Sequence, residues 1–226
     1  MGTRPTLCIL GAAGGAREVW YAVYDTNPLT ELVFVDDHTD ITEVRVAGRT
    51  LPVCKDWNLE PWRRGDSSAF TEFLIGLGTP SDKKVMVEKA IEKGLTPAPT
   101  LCDRTNILHP DAATLGRGGV IIARSVLSSG VVLGDYVHIM TSTIGHDAKL
   151  DTYSSCFAGC HVSGEVHLGE GTLLGAGVVV RDECKVAPWT VVGAGGVVVK
   201  DVTEPGMVLG GVPAKPMKPI TEITHR

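Results

Sequence analysis

The seven histidines and six cysteines are the side chains best suited to proton transfer, nucleophilic attack or metal binding near neutral pH. His146 is followed directly by Asp147, and a carboxylate beside an imidazole raises its basicity. His138 and His146 are separated by seven residues and His161 and His167 by five, so neither pair has the H-x-x-x-x-H spacing of a three-histidine metal centre. No metal site is expected. A second reactive candidate is the turn Gly11-Ala12-Ala13-Gly14-Gly15-Ala16-Arg17, where backbone N–H groups at a helix N-terminus would favour a phosphate. Positions 13 and 16 are alanine, which breaks G-x-G-x-x-G, and no G-x-x-x-x-G-K-[ST] occurs anywhere. A phosphate-bearing ligand other than NAD or ATP is therefore expected.

The elements that must carry these groups differ between the two halves. Thr6-Leu7-Cys8-Ile9-Leu10 is a short apolar run that ends in the glycine turn, and Glu18 to Tyr24 can continue as a helix. A second run, Glu31 to Val35, ends in Asp36-Asp37, and a third, Phe73 to Gly78, precedes a helix from Ser81 to Glu92. Strands alternating with helices predict a Rossmann-like α/β domain over residues 1–106 that binds ligands at the carboxyl ends of its strands.

The second half repeats every six residues. From Val120 the column runs Val126, Val132, His138, Ile144, Leu150, Cys156, Val162 and on to Val198, with His138 and Cys156 its only non-aliphatic members. Neither a helix nor a simple strand confines branched aliphatics to such a column, so it reads as the inward row of a hexapeptide β-helix over residues 107–226. If three sides close one coil, residues eighteen apart stack, which places Gly164 over His146 and Cys156 over His138. A neighbouring column, Leu115, Ile121, Leu127, Leu133 and Ile139, is equally aliphatic, so the phase of the first coils is open by one residue.

Composition narrows the function classes. With 21 basic and 26 acidic residues the net charge is −5, which argues against nucleic acid as a partner. The longest uncharged stretch, Val186 to Val199, is fourteen residues and too short for a membrane span. Six cysteines without a C-x-x-C pair fit a reducing cytoplasm. The opening Met1-Gly2-Thr3-Arg4-Pro5-Thr6 matches only the loose myristoylation pattern.

Read together, the chain resembles bacterial sugar acyltransferases of the left-handed β-helix class, which include nucleotide-aminosugar N-acetyltransferases and sialic acid O-acetyltransferases. The resemblance runs through the glycine turn, Phe34-Val35-Asp36-Asp37, Ile75-Gly76-Leu77-Gly78, Leu108-His109-Pro110, Ser142-Thr143-Ile144-Gly145-His146-Asp147, Ser163-Gly164-Glu165-Val166 and Gly210-Gly211-Val212-Pro213-Ala214-Lys215. It implies a homotrimer with acetyl-CoA in the groove between subunits, His146 as general base, Asp147 orienting it and Gly164 offering an N–H to the oxyanion. It further implies coenzyme contacts at Ser155, Gly164, Gly175, Ala176, Gly193, Ala194 and Lys215. A nucleotide-aminosugar acceptor would lie against Gly11, Ala13, Gly14, Gly15, Asp36, Asp37 and Gly76. Attack on a thioester needs a positioned nucleophile, a base and an oxyanion donor, and no metal.

The chain departs from the family at three places. Position 155 is serine where a second histidine is common, position 15 is glycine where the first turn often has histidine, and positions 82 to 84 read Asp-Lys-Lys where an arginine is usual. Ser155 and Cys156 could accept an acyl group, but nothing beside them supplies a dedicated base, which favours direct transfer. Two alternatives stay open: O-acetylation of a sialic acid or another sugar hydroxyl, and a non-catalytic trimer that binds a nucleotide sugar.

Overall fold

The computed structural model describes residues 6–62, 69–108 and 113–220. Gly2 and the His109-Pro110 motif lie outside the described residues. Strand β1 (Thr6–Leu10) is buried throughout and pairs in parallel with β2 (Glu31–Val35) on one side and β5 (Glu72–Ile75) on the other. A strand covered on both faces is apolar nearly throughout, and here the one polar side chain, Thr6, donates to Ala69 O at 2.8 Å. Helix α1 (Gly14–Thr26) buries Ala16, Val19, Trp20 and Val23 against it. Helix α2 (Pro80–Glu92) buries Met86, Val87 and Ala90 with Cys8, Leu10 and Phe73.

With β3 (Glu43–Val46), β4 (Arg49–Cys54) and β6 (Thr96–Pro97), the sheet order is β3-β4-β2-β1-β5-β6. The connection from β2 to β4 is the antiparallel strand β3, turned at Ala47-Gly48, both at positive φ, and contains no helix. The strand and helix alternation read from the sequence therefore holds for β1-α1-β2 and β5-α2-β6 only. The solenoid packs directly against this unit. Val120 and Ile122 pack with Ile9, Ala16 and Trp20, and Tyr136 packs with Phe73 and Met86.

From Leu101 onward the chain winds through three parallel faces of eight, six and five strands. The first face holds Val120–Ile122, His138–Met140, Ser155–Cys156 and Leu173–Leu174, the second Thr143–Ile144 and His161–Val162, and the third Lys149–Leu150 and His167–Leu168. An antiparallel hairpin, Met207–Gly210 with Lys215–Pro219, ends the first face.

The inward row corrects the column read from sequence. It runs Ile121, Leu127, Leu133 and Ile139, then Ile144, Leu150, Cys156 and onward. Val120 pairs with His138, eighteen residues on, but His138 pairs with Ser155, seventeen on, and Ile139 with Cys156. One residue is missing from the corner after Met140, so the row steps by five and not six. Two buried serines close that shortened corner. Ser142 N donates to Ser125 Oγ at 3.3 Å, and Ser142 Oγ lies 2.6 Å from Met140 O while accepting Cys160 N–H at 3.2 Å. His138 consequently faces outward, and it does not stack on Cys156.

Corner residues at positive φ recur six apart from Gly130 to Gly195, apart from the single five-residue step from Tyr136 to Thr141. Several are not glycine, including Asp147, Glu165 and Trp189. Left-handed backbone costs an L-residue about 1–2 kcal/mol, and the hydrogen bonds between coils on either side offset it. At one corner Tyr136 and Tyr153 stack at 5.1 Å, and Trp189 lies under Lys84 of α2, whose Nζ is 5.5 Å from the ring centre. This aromatic edge seats α2 on the solenoid.

Candidate active site

The corner between the second and third faces presents His146-Asp147, with Ser129-Gly130 one coil before and Gly164-Glu165 one coil after. Asp147 N–H donates to Ser129 O at 2.9 Å, and Glu165 N–H donates to His146 O at 2.8 Å. The peptides of three coils are thus stacked in register, and their side chains are left free for chemistry. His146 Nδ1 lies 3.0 Å from Asp147 Oδ2, and both side chains are more than half exposed. A carboxylate only accepts, so Nδ1 carries the hydrogen and Nε2 presents a lone pair outward.

Two absent side chains make this arrangement possible. A Cβ on Gly164 would stand 2.5 Å from His146 Nε2, and a Cβ on Gly130 would collide with Asp147 Oδ1. The ring and the carboxylate fill these spaces. Asp147 itself adopts the corner conformation at φ 56°, which turns its carboxylate back onto the imidazole. Among the described residues no backbone acceptor takes the Gly164 N–H, which leaves it free for an oxyanion.

Besides Gly164, the residues expected to meet the coenzyme divide into three groups. Gly175, Ala176, Gly193 and Ala194 gather at the corner between the first and second faces, where Gly195 N–H donates to Ala176 O at 2.8 Å and a Cβ on Gly175 would meet Ala194 N at 2.7 Å. Ala176 and Ala194 are exposed, so this edge is a strip of the smallest side chains. Lys215 is apart from them, on the terminal hairpin beside a cleft lined by Val198, Asp201, Glu204 and Pro213. Ser155 belongs to neither group. It is fully buried on the first face, and its hydroxyl donates to Gly78 O at 2.6 Å.

In the α/β unit, the strand order reverses direction between β1 and β5, which opens a crevice at their carboxyl ends. Gly11, Gly15 and Gly76 border it, but packing fills the space each leaves. A Cβ would lie 2.7 Å from Leu77 Cδ2 at Gly11, 2.9 Å from Gly76 O at Gly15 and 2.7 Å from Ala16 Cα at Gly76. Gly14 alone is open, with Arg17 Nη2 at 3.9 Å its nearest neighbour. Ala13 precedes α1 without a side-chain cap, so the amides of the first turn have no side-chain partner there and suit an anion.

The two aspartates play unlike parts. Asp36 is buried and closes its own turn, accepting from His38 N and Thr39 N at 3.0 Å and from Thr39 Oγ1 at 3.0 Å. Asp37 accepts from Trp57 Nε1 and Lys89 Nζ, each at 3.0 Å. Desolvation works to raise the Asp37 carboxyl, but the hydrogen bonds from Trp57 and Lys89 and the Lys89 charge outweigh it and hold the group below the usual carboxylate range.

Sequence reasoning missed a buried polar cluster between the two units. Lys83 is completely buried and donates to Tyr136 O at 2.9 Å and Ser154 O at 3.0 Å. Burial depresses its basicity strongly. His138, with Nδ1 3.1 Å from Leu77 O, is pushed down to about 4 by burial and then by the Lys83 charge, against the hydrogen bond to Leu77. The signal for Lys83 was present, since it shares the helical face of Met86, Val87 and Ala90. Among the described residues no group of three or more His, Cys, Asp or Glu side chains gathers in metal-binding geometry.

No protein-family model matches the chain. Solved structures do. The acetyltransferase domain of PglB from Neisseria gonorrhoeae FA1090, in complex with acetyl coenzyme A, is 29% identical with a TM-score of 0.80, covering 96% of this chain and 100% of that one. PerB from Caulobacter crescentus, in complex with CoA and GDP-perosamine, is 24% identical with a TM-score of 0.80, covering 94% and 97%. WeeI from Acinetobacter baumannii AYE is 20% identical with a TM-score of 0.81, covering 94% and 99%. The last two establish likeness of fold.

Proposed function

We propose, for a chain that matches the left-handed β-helix sugar acetyltransferases over nearly its whole length, transfer of an acetyl group from acetyl-CoA to the primary amine of a nucleotide-linked aminosugar. The observation that carries this reading is the corner where the His146 ring, braced by Asp147, lies against Gly164, whose N–H has no backbone acceptor among the described residues. The amine nitrogen attacks the thioester carbonyl as His146 Nε2 takes its proton. The carbonyl oxygen gains the negative charge and accepts the Gly164 N–H. Collapse breaks the C–S bond, and the thiolate of CoA leaves with the proton from His146. Asp147 keeps Nε2 as the basic nitrogen and stabilises the imidazolium that forms.

In this reading residues 1–106 form a Rossmann-like unit that holds the nucleotide. The open Gly14, the uncapped start of α1 and the pair Asp37 and Lys89 border its crevice. Residues 107–226 hold the coenzyme along the Ala176 and Ala194 edge. Assembly as a homotrimer completes the groove. Its support is an asymmetry of the solenoid: outward residues of the first and second faces include Leu173, Val191, Val179 and Val197, whereas the third face shows Lys149, His167 and Lys185. We place the protein in the cytoplasm, where its six free thiols stay reduced. Among the described residues no helix is long and apolar enough to cross a membrane.

The test offers acetyl-CoA with UDP- and GDP-linked aminohexoses and with free sialic acid, and reads free thiol. Release with a nucleotide aminosugar supports the reading. Transfer to the sialic acid hydroxyl alone, or binding without any transfer, refutes it, and a fully active monomer by light scattering refutes the trimer.

A further inference from the structure

The elbow between β5 and α2, residues 76–79, borders the acceptor crevice, and solenoid side chains hold two of its carbonyls. Leu77 O lies 3.1 Å from His138 Nδ1, and Gly78 O accepts the Ser155 hydroxyl at 2.6 Å. His138 and Ser155 are paired on adjacent coils of the first face, so the two bonds form neighbouring rungs. Lys83, early in α2, adds its bonds to Tyr136 O and Ser154 O on the same two coils. The Phe157 ring occupies the space of a side chain at Gly78, where a Cβ would stand 2.6 Å from Cε1.

This contact is costly for mere adhesion. A carbonyl only accepts, so His138 Nδ1 carries the hydrogen, and Nε2 is buried with no partner among the described residues. Leaving a buried polar atom unpaired forfeits its hydration with no bond in return. Lys83, fully buried, donates to neutral carbonyls. One coil earlier, the Val120 and Ile122 side chains meet the same unit by apolar packing, beside a longer backbone bond from Ile75 N–H to Gly118 O at 3.3 Å. What hydrogen bonds add over apolar contact is direction, because they fix position and orientation together. The chain between His138 and Ser155 also carries His146.

We propose that His138 and Ser155 are positioning residues: by clamping the Leu77 and Gly78 carbonyls, they set the distance between an acceptor held in the α/β unit and the base at His146. The proposal rests on the functional reading above. It also gives Ser155 a role other than contact with the coenzyme, since its one donated proton is committed to Gly78.

Two readouts test it on Ser155→Ala, Ser155→Cys, His138→Leu and His138→Asn. Hydrogen exchange of amides in residues 75–83 reports the clamp without any ligand. Thiol release from acetyl-CoA with the UDP- and GDP-linked aminohexoses reports its consequence, with the Kd of acetyl-CoA and of UDP and GDP measured separately. In Ser155→Ala and His138→Leu the elbow amides should exchange about tenfold faster, and kcat/KM for the acceptor should fall about tenfold. Each Kd should change by less than about twofold, because each ligand keeps its own half of the site. Ser155→Cys and His138→Asn retain a donor and should fall in between, which a packing effect would not produce.

Unchanged elbow exchange in both Ser155→Ala and His138→Leu overturns the clamp. So does a Ser155→Ala variant that loses acetyl-CoA affinity, because Ser155 would then touch the coenzyme. If wild-type protein transfers to none of the aminosugars, the functional reading fails, and the exchange measurement still decides whether the clamp exists.

Discussion

At the corner that presents His146, the spaces left by Gly130 and Gly164 are taken by the Asp147 carboxylate and the His146 ring; at the turn after β1, those left by Gly11, Gly15 and Gly76 are taken by Leu77, a carbonyl and the backbone of α1. Both regions are rich in glycine, and in sequence they look equally suited to a ligand. The difference lies in what occupies the vacancy. Where an imidazole or a carboxylate fills it, glycine lets a polar side chain lie against the next coil. Where the scaffold fills it, glycine permits close packing of helix and strand, and only Gly14 remains open to a ligand.

The sharpest way to break this comparison is at His146, the proposed base. His146→Ala should lower kcat by roughly 10²- to 10⁴-fold, the range for a lost general base, with acetyl-CoA affinity little changed. Near-normal turnover would move the chemistry elsewhere.

Gly76→Ala tests the opposite region by the smallest possible change. The new methyl meets Ala16 Cα at 2.7 Å and Ile9 Cγ2 at 2.9 Å, and backbone cannot step aside, so stability should fall by about 3 kcal/mol in denaturant melts. A melt like that of wild type would show that the packing reading of this glycine is wrong.

The seam between the regions should be sensitive to acid. Unfolded, His138 takes a proton near its ordinary value of 6.5; folded, it resists until about 4 because of burial and the Lys83 charge. Stability is therefore complete above pH 6.5 and is lost as pH falls toward 4, by about 3 kcal/mol at most across the window. His138→Asn should flatten that part of the curve, as unfolding midpoints between pH 4 and 7 will show.

Gly164→Ala should leave the melt nearly unchanged, since its methyl meets the movable end of the His146 ring, yet turnover should fall by about tenfold as the base is displaced. Equal losses of stability and activity would mean that Gly164 serves packing, as Gly76 does. The smallest effect belongs to Gly14→Ala. An alanine at the open start of α1 should add about 0.5 kcal/mol of stability, while UDP or GDP affinity weakens as the methyl intrudes on the approach to the helix amides. Unchanged nucleotide affinity would remove Gly14 from the acceptor site.

The solenoid was legible because it is nearly one-dimensional. Each inward residue touches others one coil away, so the six-residue period writes the contact map into the chain, and the stacking of Gly164 on His146 followed from counting alone. Strands β1 and β2 and both helices were also visible as apolar runs beside turn residues, within a few residues of their observed ends. The shortened corner after Met140 defeated the count, because two adjacent columns were equally aliphatic and only coil-to-coil pairing decides which faces inward.

Other features had no local signature at all. Glu43–Val46 and Arg49–Cys54 form a hairpin where a helix fits the expected alternation, and its place is set by pairing with β2. The roles of Asp36, Ser155, His138 and Lys83 depend on partners distant in the chain or on the closure of a turn, and residue type alone cannot reveal whether a hydroxyl or carboxylate is already satisfied. The sequence by itself determined the repeat and the stacking of Gly164 on His146, since these arise from local periodicity and fixed spacing. The tertiary structure alone decided which glycines are vacant, which polar groups are spent and how the elbow after β5 is joined to the solenoid, because those follow from contacts between residues that only folding brings together.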